Sequence, residues 1–170
     1  MSEGVAKAVQ AFVGDAPQFD DPAMLSLPLS GPQQSDRELV VSAEVENIPL
    51  ITDKINEFLE TMDCPMKAQI QIDVAVDELF ANIANYAYPD GEGKATVRYE
   101  PIRDPNGIRI TFIDSGIPFN PLEVEAPNTT LPAEEREIGG LGIFMVRKSM
   151  DDVLYRFEDG QNILTIIKYF

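Results

Sequence analysis

The sequence predicts an α+β fold, a two-layer sandwich with three main helices packed on one face of a mixed or antiparallel sheet. Two helical patterns come early in residues 37–170, and strand-like runs joined by tight turns dominate the later part. With 170 residues, 44% hydrophobic and 25% charged, the chain has the size and composition of one globular domain with a short appendage.

The early part of this domain predicts one strand and two helices. Leu39–Val45 alternates between apolar and polar residues, as a strand does. Ile48–Met62 has apolar residues at helical spacing, with Asn47 as the expected N-cap and Pro49 in the first turn. Met66–Tyr88 predicts a second, longer helix that ends at a turn.

The later part predicts two pairs of strands and a third helix. Lys94–Tyr99 and Ile108–Ile113 are strand runs joined by a turn, and Val153–Phe157 and Ile163–Tyr169 form a closing hairpin. Gly140–Met150 predicts the third helix.

A long acidic loop, residues 114–138, lies between the predicted strand Ile108–Ile113 and the third predicted helix. It carries five glutamates against one basic residue, Arg136. Loops of this length inside a compact domain are usually functional lids or disordered segments.

The composition excludes several classes of function. A net charge of −16 opposes binding to nucleic acid or to an anionic membrane. The absence of histidine excludes a Ser-His-Asp triad, a histidine-ligated metal and a phospho-histidine relay within this chain. Cys64 is the only cysteine, which suits a reducing compartment, and no apolar run approaches membrane-spanning length. We therefore expect a cytoplasmic protein that contacts neither nucleic acid nor a membrane.

The second predicted helix carries the first candidate site. Glu78, Asn82 and Asn85 are spaced so that they share one helical stripe. Asparagine is a poor helix former, so two of them in neighbouring turns cost helix stability. A carboxylate beside amide oxygens can orient a hydroxyl and hold a hard cation such as Mg²⁺, although a solvated polar face has the same pattern.

Asp114 and Gly116 form the second candidate site, directly after an apolar strand. An aspartate at a strand end can accept a hydrogen bond from the amino group of a purine, and glycine permits close approach of a flat ring. An ordinary turn at the end of a strand would look the same.

The third candidate is the glycine-rich start of the last helix, Gly139–Gly142. Backbone amides at a helix N-terminus without side chains in the way form an anion-binding nest, while a flexible hinge is the alternative interpretation.

One site can use all three motifs. Asp114 would meet a base, Asn82 a metal ion, the nest phosphates, and Glu78 the reacting group.

This ordered set of motifs resembles the Bergerat-type ATP-binding fold shared by gyrase, heat-shock chaperones and bacterial sensor kinases. The closest resemblance, over about residues 39–170, is to the anti-sigma-factor serine/threonine kinases. The resemblance implies that ATP and Mg²⁺ are bound, that Glu78 is the catalytic base and that Asn82 binds the metal. It also assigns adenine binding to Asp114 and Gly116, and phosphate contact to the three residues Gly140, Leu141 and Gly142. Arg136 is the one cationic phosphate contact that the loop offers.

Members of that family phosphorylate a serine on a small antagonist protein, and many also bind a sigma factor and form homodimers. We therefore expect a kinase in a partner-switching system of bacterial transcription. Where many relatives have a histidine four residues after the metal-binding asparagine, this chain has Tyr86. This departure and the acidic loop leave open a nucleotide-dependent binding switch without catalysis, or an interaction domain that no longer binds nucleotide.

Residues 1–36 are expected to be an appendage and linker. Within them, residues 11–27 resemble the closing segment of metal-dependent serine phosphatases, which includes an aspartate pair. The other metal ligands of such an enzyme are missing, so we expect no phosphatase activity. The resemblance instead suggests that the kinase-like domain, residues 37–170, derives from a phosphatase–kinase fusion.

Overall fold

The computed structural model describes residues 37–123 and 140–170, and in these residues three helices pack on one face of a five-stranded sheet. The expected α+β architecture is confirmed, and the sheet is antiparallel throughout. The strands are β1 (Glu38–Ser42), β2 (Lys94–Arg103), β3 (Asn106–Asp114), β4 (Asp152–Glu158) and β5 (Gln161–Tyr169). The helices are α1 (Ile48–Glu60), α2 (Met66–Asn82) and α3 (Leu141–Ser149).

Two predictions lie outside the described residues. They are the N-terminal appendage, residues 1–36, and the part of the acidic loop that contains Arg136.

The strands are arranged in the order β1-β2-β3-β5-β4, so β3 lies at the centre of the sheet. Successive side chains of a strand point to opposite faces, and the face toward the helices carries the buried residues. Val97, Phe112 and Leu164 are cross-strand neighbours in this layer. The same register places Asp114, the last residue of β3, directly opposite Asn162 on β5.

The core lies between the sheet and the helices. Each helix contributes one apolar face, with Ile51, Ile55 and Leu59 from α1 fully buried. Phe80 of α2 and Phe112 of β3 are also fully buried and are the largest such side chains in the described part of the chain. The helices are therefore fixed to the sheet by burial of apolar area, the dominant favourable contribution to folding.

Helix α1 begins at Ile48, as predicted, with Asn47 at the N-cap position. The side chain of Asn47 does not cap the helix, and its amide instead donates to the carbonyl oxygen of Ser42 at 2.9 Å. Its backbone angles, φ −86° and ψ −9°, are helical, whereas an N-cap residue is ordinarily extended. Asn47 therefore occupies the predicted N-cap position without capping the helix through its side chain, and a 3₁₀ turn, Val45–Asn47, leads into the helix.

The end of α2 also differs from the prediction of one uniform helix. After Asn82 the chain continues as a π turn, Ile83–Ala87. Its hydrogen bonds join residues five apart, whereas those of an α-helix join residues four apart. The carbonyl oxygen of Ala87 then accepts a hydrogen bond from the backbone N–H of Ile117 at 2.9 Å. The π turn thus ties the end of α2 to the segment that follows β3.

One polar group is poorly accommodated between α1 and α2. The Oδ1 atom of Asp73 is buried and has no hydrogen-bond partner among the described residues. Nearby, the side chain of Gln69 donates to Oδ1 of Asn56 at 2.9 Å. Burial raises the pKa of the Asp73 carboxyl, and hydrogen bonding with Asn56 opposes that rise.

We expect Asp73→Asn to raise the thermal midpoint of unfolding at neutral pH. A carboxyl whose folded pKa is raised binds its proton more tightly in the folded state. The wild-type free energy of unfolding therefore falls as the pH rises from the ordinary value, 3.8, through the folded pKa. The midpoints of both proteins should be compared at about pH 4 and at about pH 7.5, and the gain should be larger at the higher pH.

Asp77→Asn is the matched control. Asp77 is exposed one turn later on the same helix, and its substitution removes the same charge. An equal gain from both substitutions would show that net charge, rather than the buried Oδ1 atom, is responsible.

Candidate functional site

A cavity opens between the C-terminal half of α2, the segment after β3, and the adjoining ends of β3 and β5. The empty space inside it, with the open mouth included, is about 610 Å³. Its walls are mainly apolar, with contributions from Leu79, Ile83, Ile117, Phe119, Ile143 and Leu164. Such walls suit a flat, largely apolar ring system.

Asp114 is the acidic group in this cavity and is only 6% exposed. Its Oδ1 atom accepts the backbone N–H of Gly116 at 2.9 Å and the side-chain amide of Asn162 at 2.9 Å. The structure shows no hydrogen bond from any described residue to the other oxygen, Oδ2. A buried carboxylate with one oxygen occupied and one available is a specific acceptor for a ligand N–H group.

Asn162 is a site residue that the sequence reasoning missed. It is 5% exposed and lies in the inward-facing row of β5, ahead of the buried Leu164 and Ile166. Besides Asp114, its Nδ2 atom donates to the carbonyl oxygen of Ile117 at 3.0 Å. Its Oδ1 atom accepts the N–H of Phe119 at 3.2 Å and the hydroxyl of Tyr155 at 2.7 Å. A polar residue at an inward position of a strand was the available signal, but it became informative only with the β3–β5 register.

Gly116 is required by the packing of the chain. A Cβ atom at this position would overlap the carbonyl oxygen of Ala87 and lie 2.5 Å from its Cβ atom. The sequence argument attributed this glycine to the approach of a ligand ring. The structure adds a different cause, the approach of the π turn at the end of α2.

Tyr88 is a second residue that the sequence reasoning missed. Its hydroxyl donates to the carbonyl oxygen of Lys94 at 2.7 Å and accepts the N–H of Ser115 at 2.9 Å. Its ring lies over Gly93, where any side chain would collide with it. Burial raises the pKa of this hydroxyl, so it stays protonated and keeps both hydrogen bonds. Tyr88 therefore holds the segment after Asp114 from the side opposite Asn162.

The structure brings Glu78 and the glycine-rich start of α3 together. A Cβ atom at Gly142 would overlap Oε2 of Glu78 and lie 2.6 Å from its Cδ atom, so the carboxylate lies directly against this glycine. A negative group beside a helix N-terminus is stabilised by the helix dipole. Gly140 precedes the helix with a left-handed φ of 88°, which favours glycine, and Leu141 begins it half exposed.

The two candidate asparagines, Asn82 at the end of α2 and Asn85 in the π turn, are used differently. Asn82 lines the cavity one turn after Glu78. Asn85 is exposed, and its side-chain amide donates to the carbonyl oxygen of Ala81 at 2.8 Å. The structure therefore brings Asn82 into the lining of the cavity and leaves Asn85 on the helix surface. Tyr86 is 67% exposed at the mouth.

The described residues contain no group of three or more acidic or cysteine side chains that would form a metal cage. They do offer the amide oxygen of Asn82, with Glu78 one turn away. Mg²⁺ is commonly held by one or two protein oxygens together with water and ligand phosphates. This donor set fits a metal that arrives with a phosphorylated ligand.

The arrangement can bind a ring that carries an amino group against Asp114, with the rest of the ligand extending past Asn82 to the start of α3. There the first N–H groups of the helix have no partners within the helix and can bind an anion. The carboxylate of Glu78 lies at the same place and can accept a proton from a hydroxyl brought to it. The fold and this cavity define an α+β domain with a small-molecule site that suits a purine nucleotide.

Comparison with known proteins assigns the family. The model of the histidine kinase-like ATPase domain matches residues 41–168, and the chain belongs to this family. Serine-protein kinase RsbW of Bacillus mycoides is 23% identical over 136 residues, which cover 75% of this chain and 81% of that protein. RsbW of Listeria innocua is 30% identical over 96 residues, 54% of this chain and 60% of that protein. These matches confirm the family expected from the sequence and support its anti-sigma-factor kinase branch.

In the part of the chain that the structure describes, none of the helices has the length and apolar character needed to cross a membrane.

We expect Gly116→Ala to lower the free energy of unfolding by roughly 1–3 kcal/mol, because the new methyl group must displace the backbone of the π turn. Urea denaturation followed by far-ultraviolet circular dichroism suits a chain without tryptophan. Gly91→Ala is the control, since its Cβ atom would have nothing within 4 Å. Equal stability of the Gly116→Ala and wild-type proteins would contradict the close approach.

Proposed function

We propose that this chain is an ATP-dependent protein serine/threonine kinase that phosphorylates a serine of an antagonist protein in a partner-switching system. One observation carries this proposal beyond the family. The carboxylate of Glu78 lies against Gly142 at the start of α3, next to the cavity that contains Asp114. A base-binding group, an anion-binding helix start and a proton acceptor therefore lie along one path.

Adenine binding is proposed at the closed end of the cavity. The exocyclic amino group would donate to Oδ2 of Asp114, and the apolar side chains of Ile83 and Ile117 would contact the ring. Gly116 contributes indirectly, since its N–H holds Oδ1 of the same carboxylate.

Phosphate binding is proposed at the backbone of residues 140–142, where N–H groups at the helix start face an anion. Because the chain has a net charge of −16, it offers few basic side chains for phosphate binding, and backbone N–H groups take on this role. Basic and acidic side chains balance in residues 139–170, so the acidity of the chain spares this region. Asn82 would hold Mg²⁺ through its amide oxygen, and the ion would neutralise phosphate charge when bound. Arg136 remains a proposed phosphate contact, and Asn85 a proposed contact of the nucleotide.

Glu78 is the proposed catalytic base. Its carboxylate would accept the proton of the partner's serine hydroxyl as that oxygen bonds to the γ-phosphorus and the bond to the leaving ADP breaks. Glu78 is half-buried at the end of the path, where it remains partly accessible to a partner's hydroxyl.

The partners follow from the same resemblance. We propose an antagonist protein as the phosphate acceptor, with a sigma factor as a second binding partner, and a homodimer as the active form in the cytoplasm. The relatives' printed names support the serine specificity of the reaction.

The second candidate is a nucleotide-dependent binding switch without phosphotransfer. Tyr86 favours it, because an exposed phenol stands at the cavity mouth where many family members carry a histidine. Incubating the full chain with labelled ATP, Mg²⁺ and a candidate antagonist separates the two. Label on a partner serine supports the kinase, whereas ATP-dependent binding without label supports the switch.

We expect Glu78→Gln to retain ATP binding and to lose phosphotransfer by about a hundredfold or more, within the 10²–10⁴-fold range typical of a general base. Calorimetric titration with ATP and Mg²⁺ measures ATP binding, and the rate of label transfer to the partner serine measures phosphotransfer. Glu60→Gln makes the same change at an exposed position of α1 and should affect neither. Wild-type rates of transfer in the Glu78→Gln variant would remove Glu78 from this role.

A further inference from the structure

We infer that Asn162 is a positioning residue for nucleotide selection, which acts through Asp114 and makes the site prefer a purine with an exocyclic amino group at position 6. The inference rests on the proposed nucleotide site and goes beyond it by naming the residue that orients the base-binding carboxylate.

The amide of Asn162 is fully used by the protein. Its Oδ1 atom accepts two hydrogen bonds, from the N–H of Phe119 and the hydroxyl of Tyr155, which fill both lone pairs. Its Nδ2 atom donates to Asp114 at 2.9 Å and to Ile117 O at 3.0 Å, with Gly116 O a longer 3.4 Å away. These partners also fix which end of the amide carries the hydrogens, since a carboxylate and two carbonyls all require a donor. Asn162 therefore has no free group to offer to a ligand.

The effect of this amide on Asp114 is geometric. Two donors, Asn162 and the N–H of Gly116, converge on the same oxygen, Oδ1. The carboxylate is thereby held in one rotational position, with Oδ2 left as the acceptor for a ligand. Without the Asn162 amide, one donor remains and the carboxylate can rotate or recruit water.

The same amide positions one wall of the cavity. It binds the backbone at Ile117 and Phe119, and the side chains of both residues line the cavity. One buried side chain thus sets the distance between the polar anchor and the apolar wall. Loss of this amide should disturb binding of the base more than the overall fold.

The fixed acceptor has a consequence for selectivity. The amino group of adenine can donate to Oδ2, whereas guanine presents a carbonyl oxygen at the same ring position and would be repelled by the carboxylate. Selectivity for ATP over GTP therefore depends on the carboxylate being held still, and Asn162 holds it.

The test measures dissociation constants for ATP and GTP, each with Mg²⁺, by calorimetry on the full chain. We expect Asn162→Leu, which is similar in size and lacks hydrogen-bonding groups, to weaken ATP binding by roughly tenfold to a hundredfold. GTP binding should weaken less than ATP binding, so that the preference for ATP, the dissociation constant for GTP divided by that for ATP, falls. A purely structural role would weaken both nucleotides equally and leave the ratio unchanged, which would overturn the inference.

Two further variants keep the test decisive. Asn162→Thr retains one donor and suits a strand, so its ATP-to-GTP ratio should lie between those of the wild type and Asn162→Leu. If the leucine variant does not fold, a wild-type ratio in the threonine variant overturns the inference. Thr165→Val is the matched control, since it removes a hydrogen bond to Thr111 on the opposite face of the same strand and should leave the ratio intact.

A double-mutant cycle shows whether Asn162 acts through Asp114. Asp114→Ala alone should abolish the preference for ATP, and adding Asn162→Leu should then leave the ratio of the ATP and GTP dissociation constants unchanged. A further change in this ratio would contradict the mechanism. A wild-type chain that binds neither nucleotide would overturn the proposed function itself, whereas a selective wild type with an unaffected Asn162→Leu variant would overturn only the role of Asn162.

Discussion

The pairing of Asp114 with Asn162 is the constraint on which the rest of the site depends. A carboxylate buried at the end of the central strand is costly unless hydrogen bonds compensate for the lost water. Here the antiparallel register supplies the amide from the neighbouring strand, and the turn after β3 supplies a backbone N–H. A shift of one residue between β3 and β5 would turn Asn162 to the other face of the sheet and leave the charge without this donor.

Two glycines then determine how closely the other elements approach. At Gly116 the end of α2 comes into contact with the segment after β3, and at Gly142 the side chain of Glu78 comes into contact with α3. The obstacles differ in kind, because Ala87 presents rigid backbone whereas Glu78 presents the end of a flexible side chain. Gly116 is therefore needed for the stability of the fold, whereas Gly142 makes room for the carboxylate of Glu78.

The architecture could be predicted from the sequence because alternating strands and amphipathic helices leave strong periodic signals. Every helix and strand of the described residues was anticipated, with ends displaced by a few residues and β2 longer than expected. Asp114 was singled out because it directly follows an apolar strand, and Glu78 because it shares a helical stripe with two asparagines. Asn162 and Tyr88 could not, because their roles depend on pairing between distant strands and on hydrogen bonds across the fold. The start of α1 at Ile48 was anticipated, but the lack of a side-chain cap was not, because Asn47 hydrogen-bonds backward to Ser42, which local spacing does not reveal.

The π turn at the end of α2 has a consequence for the length of the chain. If Ile83–Ala87 were a regular α-helix, each turn would contain fewer residues than the π turn does. Ala87 and Tyr88 would then lie at different angles around the helix axis. The carbonyl that meets Ile117 and the phenol that bridges two loops would then point elsewhere. Among related sequences, gaps in an alignment should therefore avoid this stretch, even where the identities of its residues vary widely.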